Sequence, residues 1–260
     1  MDPLSRSGRF LFGAAILAFG VQQFLYAFFG AGIGPPWAPE NQLWTYVTGL
    51  VLLAAAVSMT IQRKGIWGVL LASMLALRLI FLHVPRLATT SRDPVLWTST
   101  LEILAMIGAA LVLSDTAPVD ESLGGPDMTT WLGRSLFAIS LLAFGVLHFV
   151  YAHFLASLVP AWIPNRYFWA NFVGAAVITA GLSILSGIWA TLGASLLGAM
   201  FLLFAVILHA PRLALAPHDG NEWTSAFMAL AMAGGAFLVA GSFDTTRQSR
   251  PSQTAVHSRS

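Results

Sequence analysis

The stretch FLHVPRL at residues 81–87 closes a long apolar run, and a near-copy, ILHAPRL, closes another at residues 207–213. If both close membrane helices at matching places in a duplicated unit, the architecture of the whole chain follows.

Composition favours that reading. The 260 residues are 57% hydrophobic and 9% charged, with a mean hydropathy of +0.76. That is more apolar surface than a water-soluble domain can bury. Eight apolar runs approach or reach the roughly 20 helical residues that cross a hydrocarbon core. They lie at 10–29, 43–62, 66–84, 96–114, 132–154, 168–186, 189–209 and 222–242. Backbone polar groups in lipid must bond within their own segment, so each run is expected to be a helix. Glycine and alanine clusters such as GAAILAFG and AMAGGA suit close helix contact in a bilayer. The first run is too long for a signal peptide and lacks a small-residue cleavage site after it.

The two halves match along most of their length. At a shift of about 125 residues Arg9 aligns with Arg134, Gly20 with Gly145, Tyr26 with Tyr151, PPWAP (35–39) with PAWIP (160–164), and Gly49 with Gly174. One residue further on, His83, Pro85, Arg86 and Leu87 align with His209, Pro211, Arg212 and Leu213, Asp93 with Asp219, and the WTS at Trp97 with the WTS at Trp223. The expected fold is therefore all-α: eight transmembrane helices in two four-helix repeats. An even number of spans per unit makes the repeats face the same way. The boundaries are 1–114 for the first repeat, 115–131 for an acidic cytoplasmic linker, 132–242 for the second repeat and 243–260 for a disordered tail.

Arginine and lysine set the orientation. With the amino terminus inside, that face holds Arg6, Arg9, Arg63, Lys64, Arg134, Arg247, Arg250 and Arg259, against Arg86, Arg92, Arg166 and Arg212 outside. Both termini are expected to be cytoplasmic in a plasma membrane of bacterial type. With no cysteine in the chain, disulfides, thiolate metal sites and iron–sulfur clusters are excluded. The net charge of +2 is small and the basic residues are scattered, which argues against a nucleic-acid partner. The HFVYAH segment spaces its histidines unlike a zinc-protease helix and lacks that motif's glutamate, so no metal site is expected.

The four-span unit carries an arginine and then Phe-Gly in its first helix (Arg9 and Phe19-Gly20; Arg134 and Phe144-Gly145), followed by helices rich in small residues. It resembles the DoxX-like family of small membrane proteins, here as a fused tandem copy over about residues 8–242. The resemblance implies a quinone-linked or accessory subunit of a membrane oxidoreductase, with redox-complex subunits and the lipid bilayer as partners. It carries over no catalytic residue, and the chain is expected not to be an enzyme.

Two readings of the His-x-Pro-Arg motifs stay open. In one, proline ends the helix, His and Arg complement its negative end, and Arg86 and Arg212 pair with Asp93 and Asp219. Six tryptophans on that side (Trp37, Trp44, Trp97, Trp162, Trp169, Trp223) then form an interfacial belt. In the other, His83 and His209 face each other across the axis and, with Arg86 and Arg212, hold a quinone or other lipid-like ligand. Haem between the two imidazoles is disfavoured relative to a quinone, because it demands a particular helix separation.

The halves also differ. Arg78 and Glu102 are expected about 7–8 Å inside their helix ends and to form an intramembrane ion pair. Their counterparts are Phe204 and Met228. The second half has His148 for Gln23, His153 near the outer end of its first helix, Asn171 for Tyr46 and Glu222 for Leu96. His148 and Glu222 are candidates for a proton relay or for part of the ligand site. Besides the redox-accessory reading, a small-molecule transporter and a scaffold without a small ligand remain as alternatives; the nearly apolar inner half weighs against the transporter.

Overall fold

The computed structural model describes residues 3–26, 42–62, 66–115 and 128–248. These are helical almost throughout, with no strand among the described residues. The helices are α1 (Pro3–Tyr26), α2 (Gln42–Val57), α3 (Ile66–Arg78), α4 (Val84–Thr89), α5 (Pro94–Asp115), α6 (Met128–Val150), α7 (Ala152–Leu158), α8 (Arg166–Ser186), α9 (Ala190–Phe204), α10 (Ala210–Leu215) and α11 (Gly220–Gln248).

Among the described residues, seven continuous helical stretches are long and apolar enough to cross a membrane, counting α3–α4 and α9–α10 as one each. The apolar segment Thr45–Thr60, which runs from α2 into a π-helical turn at Ser58–Gln62, is shorter. The expected linker and tail give up their ends to helix: α6 begins at Met128, and α11 runs on to Gln248. Residues 116–127 and 249–260, along with PPWAP, lie outside the described residues. The fifth apolar run is broken. Tyr151, at φ −110° and ψ 30°, separates α6 from the short α7.

Around the bundle α1 packs on α2 and α11, α5 on α3 and α6, α6 on α8, and α9 on α8 and α11, while α5 also meets α11. Two crossings bring backbone against backbone. A Cβ on Gly8 of α1 would stand 2.8 Å from the Gly234 carbonyl of α11, and one on Gly133 of α6 would stand 2.6 Å from the Gly108 carbonyl of α5. Only glycine permits such approach, and dispersion along the close contact is what draws helices together in lipid. Phe12, Ile16, Phe137, Leu141, Leu238 and Val239 fill the surrounding core and are fully buried. The central α11 buries 67% of its apolar window and the peripheral α9–α10 only 22%, which leaves the latter's Leu192, Leu196, Leu203 and Val206 on the outer surface.

Proline does not end the third and seventh runs. A π-helical turn at Leu79–His83 joins α3 to α4, and another at Ala205–His209 joins α9 to α10. Val84 N–H donates to Leu79 O, five residues back, and Ala210 N–H to Ala205 O. The wider turn accommodates the missing proline N–H and relieves the clash of its ring with the preceding turn. The helix therefore continues to Thr89, and Arg78 sits near the middle of a 24-residue span, about 17 Å from either end. Glu102 is eight residues into α5, about 12 Å from its start.

The expected Arg–Asp loop pairs are not formed among the described residues. Asp93 instead caps α5, its Oδ1 accepting from Val95 N at 2.8 Å and Leu96 N at 3.4 Å, and Asp219 accepts from Asn221 N at 2.8 Å. A carboxylate at a helix N-terminus gains both free N–H groups and the favourable dipole. Trp97 Nε1 donates to Ser91 O at 2.8 Å and Trp223 Nε1 to Pro217 O at 3.0 Å, so these two tryptophans fasten loops. Trp162 and Trp169 are exposed, as are Tyr167, Phe168 and Phe172, in keeping with an interfacial belt. Trp37 and the Trp44 side chain lie outside the described residues.

Candidate functional site

The α3–α4/α5 seam carries the first polar group. His83 is buried, and its Nδ1 lies 3.3 Å from Thr100 Oγ1. The Thr100 hydroxyl donates to Leu96 O at 2.6 Å. Its one proton is thus spent, so Nδ1–H of His83 is the donor and Nε2 keeps its lone pair. The π turn also brings His83 round toward Arg78, since an i→i+5 bond stacks residues five apart where an α-helix would set them well round the axis. Arg78 and Arg86 are both near enough for their charges to act on His83.

No ion pair joins Arg78 to Glu102 among the described residues. Arg78 Nε is buried with no hydrogen-bond partner, and neither residue bonds to another described side chain or backbone group. The sequence spacing implies a common depth, but with the helix extended to Thr89, Arg78 lies about 17 Å from its end and Glu102 about 12 Å from the start of α5. A guanidinium in the middle of a span is thereby left without a protein acceptor, which is costly in hydrocarbon.

The α9–α10/α11 seam has different chemistry. His209 Nδ1 is buried and unpartnered among the described residues, and the position matching Thr100 is Ala226, which has no hydroxyl. Glu222 Oε2 is also buried and unpartnered. On α11, Gly220 O and Thr224 Oγ1 each accept from Gln22 Nε2 of α1 at 3.2 Å, while Gln22 Oε1 is buried without a partner. Arg212 Nη2 donates to Leu158 O at 2.7 Å, tying α10 to the end of α7. Arg86, its counterpart, is exposed.

The remaining candidates separate. His148 is buried in α6, with Nδ1 2.9 Å from Phe144 O and its ring edge-on to Phe144 at 4.9 Å. A Cβ on Gly174 of α8 would come within 2.6 Å of its Cβ, so it packs tightly against that helix. No hydrogen bond connects His148 with Glu222 among the described residues, and the proposed relay has no link here. Exposed His153 tilts against Tyr167 at 5.3 Å, and Asn171 Nδ2 donates to Tyr167 O at 2.8 Å. His83 and His209 lie on separate seams, with no hydrogen bond or ring contact between them among the described residues. The structure does not bring the two imidazoles into one site.

Thr100 and Gln22 were absent from the sequence-derived candidates. Both were detectable as differences between the halves, for Thr100 stands against Ala226 and Gln22 against Leu147. No family model, no curated protein and no solved structure matches this chain.

Proposed function

We propose that this is a multi-pass inner-membrane protein of bacterial type, with both termini cytoplasmic, that holds a quinone-class ligand on the α3–α4/α5 seam and serves a membrane oxidoreductase without catalysing a reaction itself. Arg78 carries the reading. A cation at mid-span with no acceptor among the described residues calls for an external one, and a quinone carbonyl is an acceptor soluble in the same hydrocarbon. Nearby, Nε2 of His83 offers a lone pair to the hydroxyl of the reduced form.

The duplicated architecture, with α2 as an eighth span, draws support from matched geometry. The Gly8–Gly234 and Gly133–Gly108 crossings correspond at the sequence shift, as do the contacts of Gly20 with Leu53 and Gly145 with Ile178. The π turns at Leu79–His83 and Ala205–His209 and the two aspartate caps correspond as well. The DoxX-like resemblance supplies the redox partner.

The test is titration of the protein, in phosphatidylcholine nanodiscs, with decylubiquinone. Saturable binding is expected to weaken by about tenfold in Arg78→Phe, which installs the second half's residue. Equal binding by wild type and variant, or no saturable binding at all, overturns the proposal.

A further inference from the structure

We propose that the α9–α10/α11 seam is a second ligand site, built from His209 and Glu222, that takes a membrane-soluble molecule presenting a phenolic hydroxyl as hydrogen-bond donor. It stands on different residues from the quinone site and does not depend on it.

The argument begins with what the second half has lost. In the first half the histidine is satisfied: His83 Nδ1 has Thr100, and the residue one turn before Thr100 is Leu96. In the second half both positions change. Alanine at 226 removes the hydroxyl, and glutamate at 222 replaces the leucine. Residues 222 and 226 are four apart and so share one face of α11. The result is two buried polar atoms without partners among the described residues, Nδ1 of His209 and Oε2 of Glu222, toward one end of adjoining helices.

Neighbouring groups do not meet the need. Gln22 is bonded to Gly220 and Thr224, which are two residues either side of Glu222 and hence on roughly the opposite face of α11. The Arg212 guanidinium donates to the Leu158 carbonyl and bonds to neither His209 Nδ1 nor Glu222 Oε2. Asp219 is occupied in capping α11. A buried polar atom is costly unless it is bonded, so a seam with two of them is built to be completed from outside.

The acceptor Glu222 fixes the ligand class. A carboxylate accepts hydrogen bonds only, so Oε2 needs a donor, while Nδ1–H of a neutral His209 needs an acceptor. A hydroxyl meets both, its one proton going to Glu222 and its oxygen accepting from His209, and the exposed apolar flank of α9–α10 makes the approach one from lipid. The α3–α4/α5 seam is led instead by the donor Arg78.

The experiment compares 4-nonylphenol with its methyl ether, 4-nonylanisole, which keeps the shape and loses the donor. Binding is measured to the full chain in phosphatidylcholine nanodiscs, with the thermal midpoint of each variant recorded. The phenol is expected to bind about tenfold more tightly than the ether. Ala226→Thr, which gives His209 the partner that His83 has, and Glu222→Leu should each weaken phenol binding about fivefold and leave the ether unchanged. Both place a residue already found at the corresponding position of the first half. Glu102→Met, on the other seam, should leave phenol binding as it is. Equal affinity for phenol and ether, phenol binding that survives both changes, or loss with Glu102→Met instead overturns the proposal.

Discussion

Replacing Gly133 by alanine tests the packing at its tightest point. The new Cβ would meet Gly108 O at 2.6 Å and Val112 N at 2.9 Å, and the reciprocal Gly108→Ala would meet Gly133 O at 2.6 Å and Phe137 N at 2.7 Å. An ordinary contact needs about 3.4 Å, so α5 and α6 must part by about 0.8 Å, a gap that forfeits a quarter to a half of the dispersion energy of each facing atom pair. Overpacking of this kind costs roughly 1–3 kcal/mol, against which alanine returns about 1 kcal/mol of helix propensity. Each single change should therefore destabilise by about 1–2 kcal/mol. The double variant should lose less than the sum, because helices already parted by one methyl accept the second. SDS titration of micellar protein followed by tryptophan fluorescence measures all three. Neutral or stabilised single variants, or strict additivity, would refute a crossing held at backbone contact.

Further outcomes follow from the polar seams. Arg78→Phe should stabilise the ligand-free protein by about 1 kcal/mol or more in the same titration, since it removes a buried cation that lacks an acceptor. Combined with Glu102→Met, the effects should add within about 0.5 kcal/mol, because no pair joins the two residues; a large coupling would reinstate the pair. Thr100→Ala should cost about 1 kcal/mol by orphaning His83 as His209 is orphaned, and a neutral result would contradict the assigned bond. Arg212→Ala should raise amide exchange selectively in α7 by about tenfold, read by hydrogen–deuterium exchange, through loss of the clasp on Leu158 O.

The apolar runs were legible because hydrocarbon leaves the backbone one solution, and most of their boundaries fall within a few residues of the helices. Proline misled at residue 85. A residue-by-residue rule ends the helix there, whereas the chain spends one wider turn and carries on to Thr89. That single difference moved Arg78 from near a helix end to mid-span and removed the expected ion pair with Glu102. Asp93 was read as a partner for Arg86, though a backbone N–H two residues away is the nearer claimant. The site chemistry was half visible. Glu222 stood out as a charge, while Ala226 is silent until the His83–Thr100 bond shows what it lacks.

Native mass spectrometry of the protein extracted in a mild detergent tests the central claim most directly. The account predicts a co-purifying mass increment of a quinone on the wild-type chain that is lost in Arg78→Phe. A chain that carries no quinone, or one that carries it equally in both proteins, would contradict it.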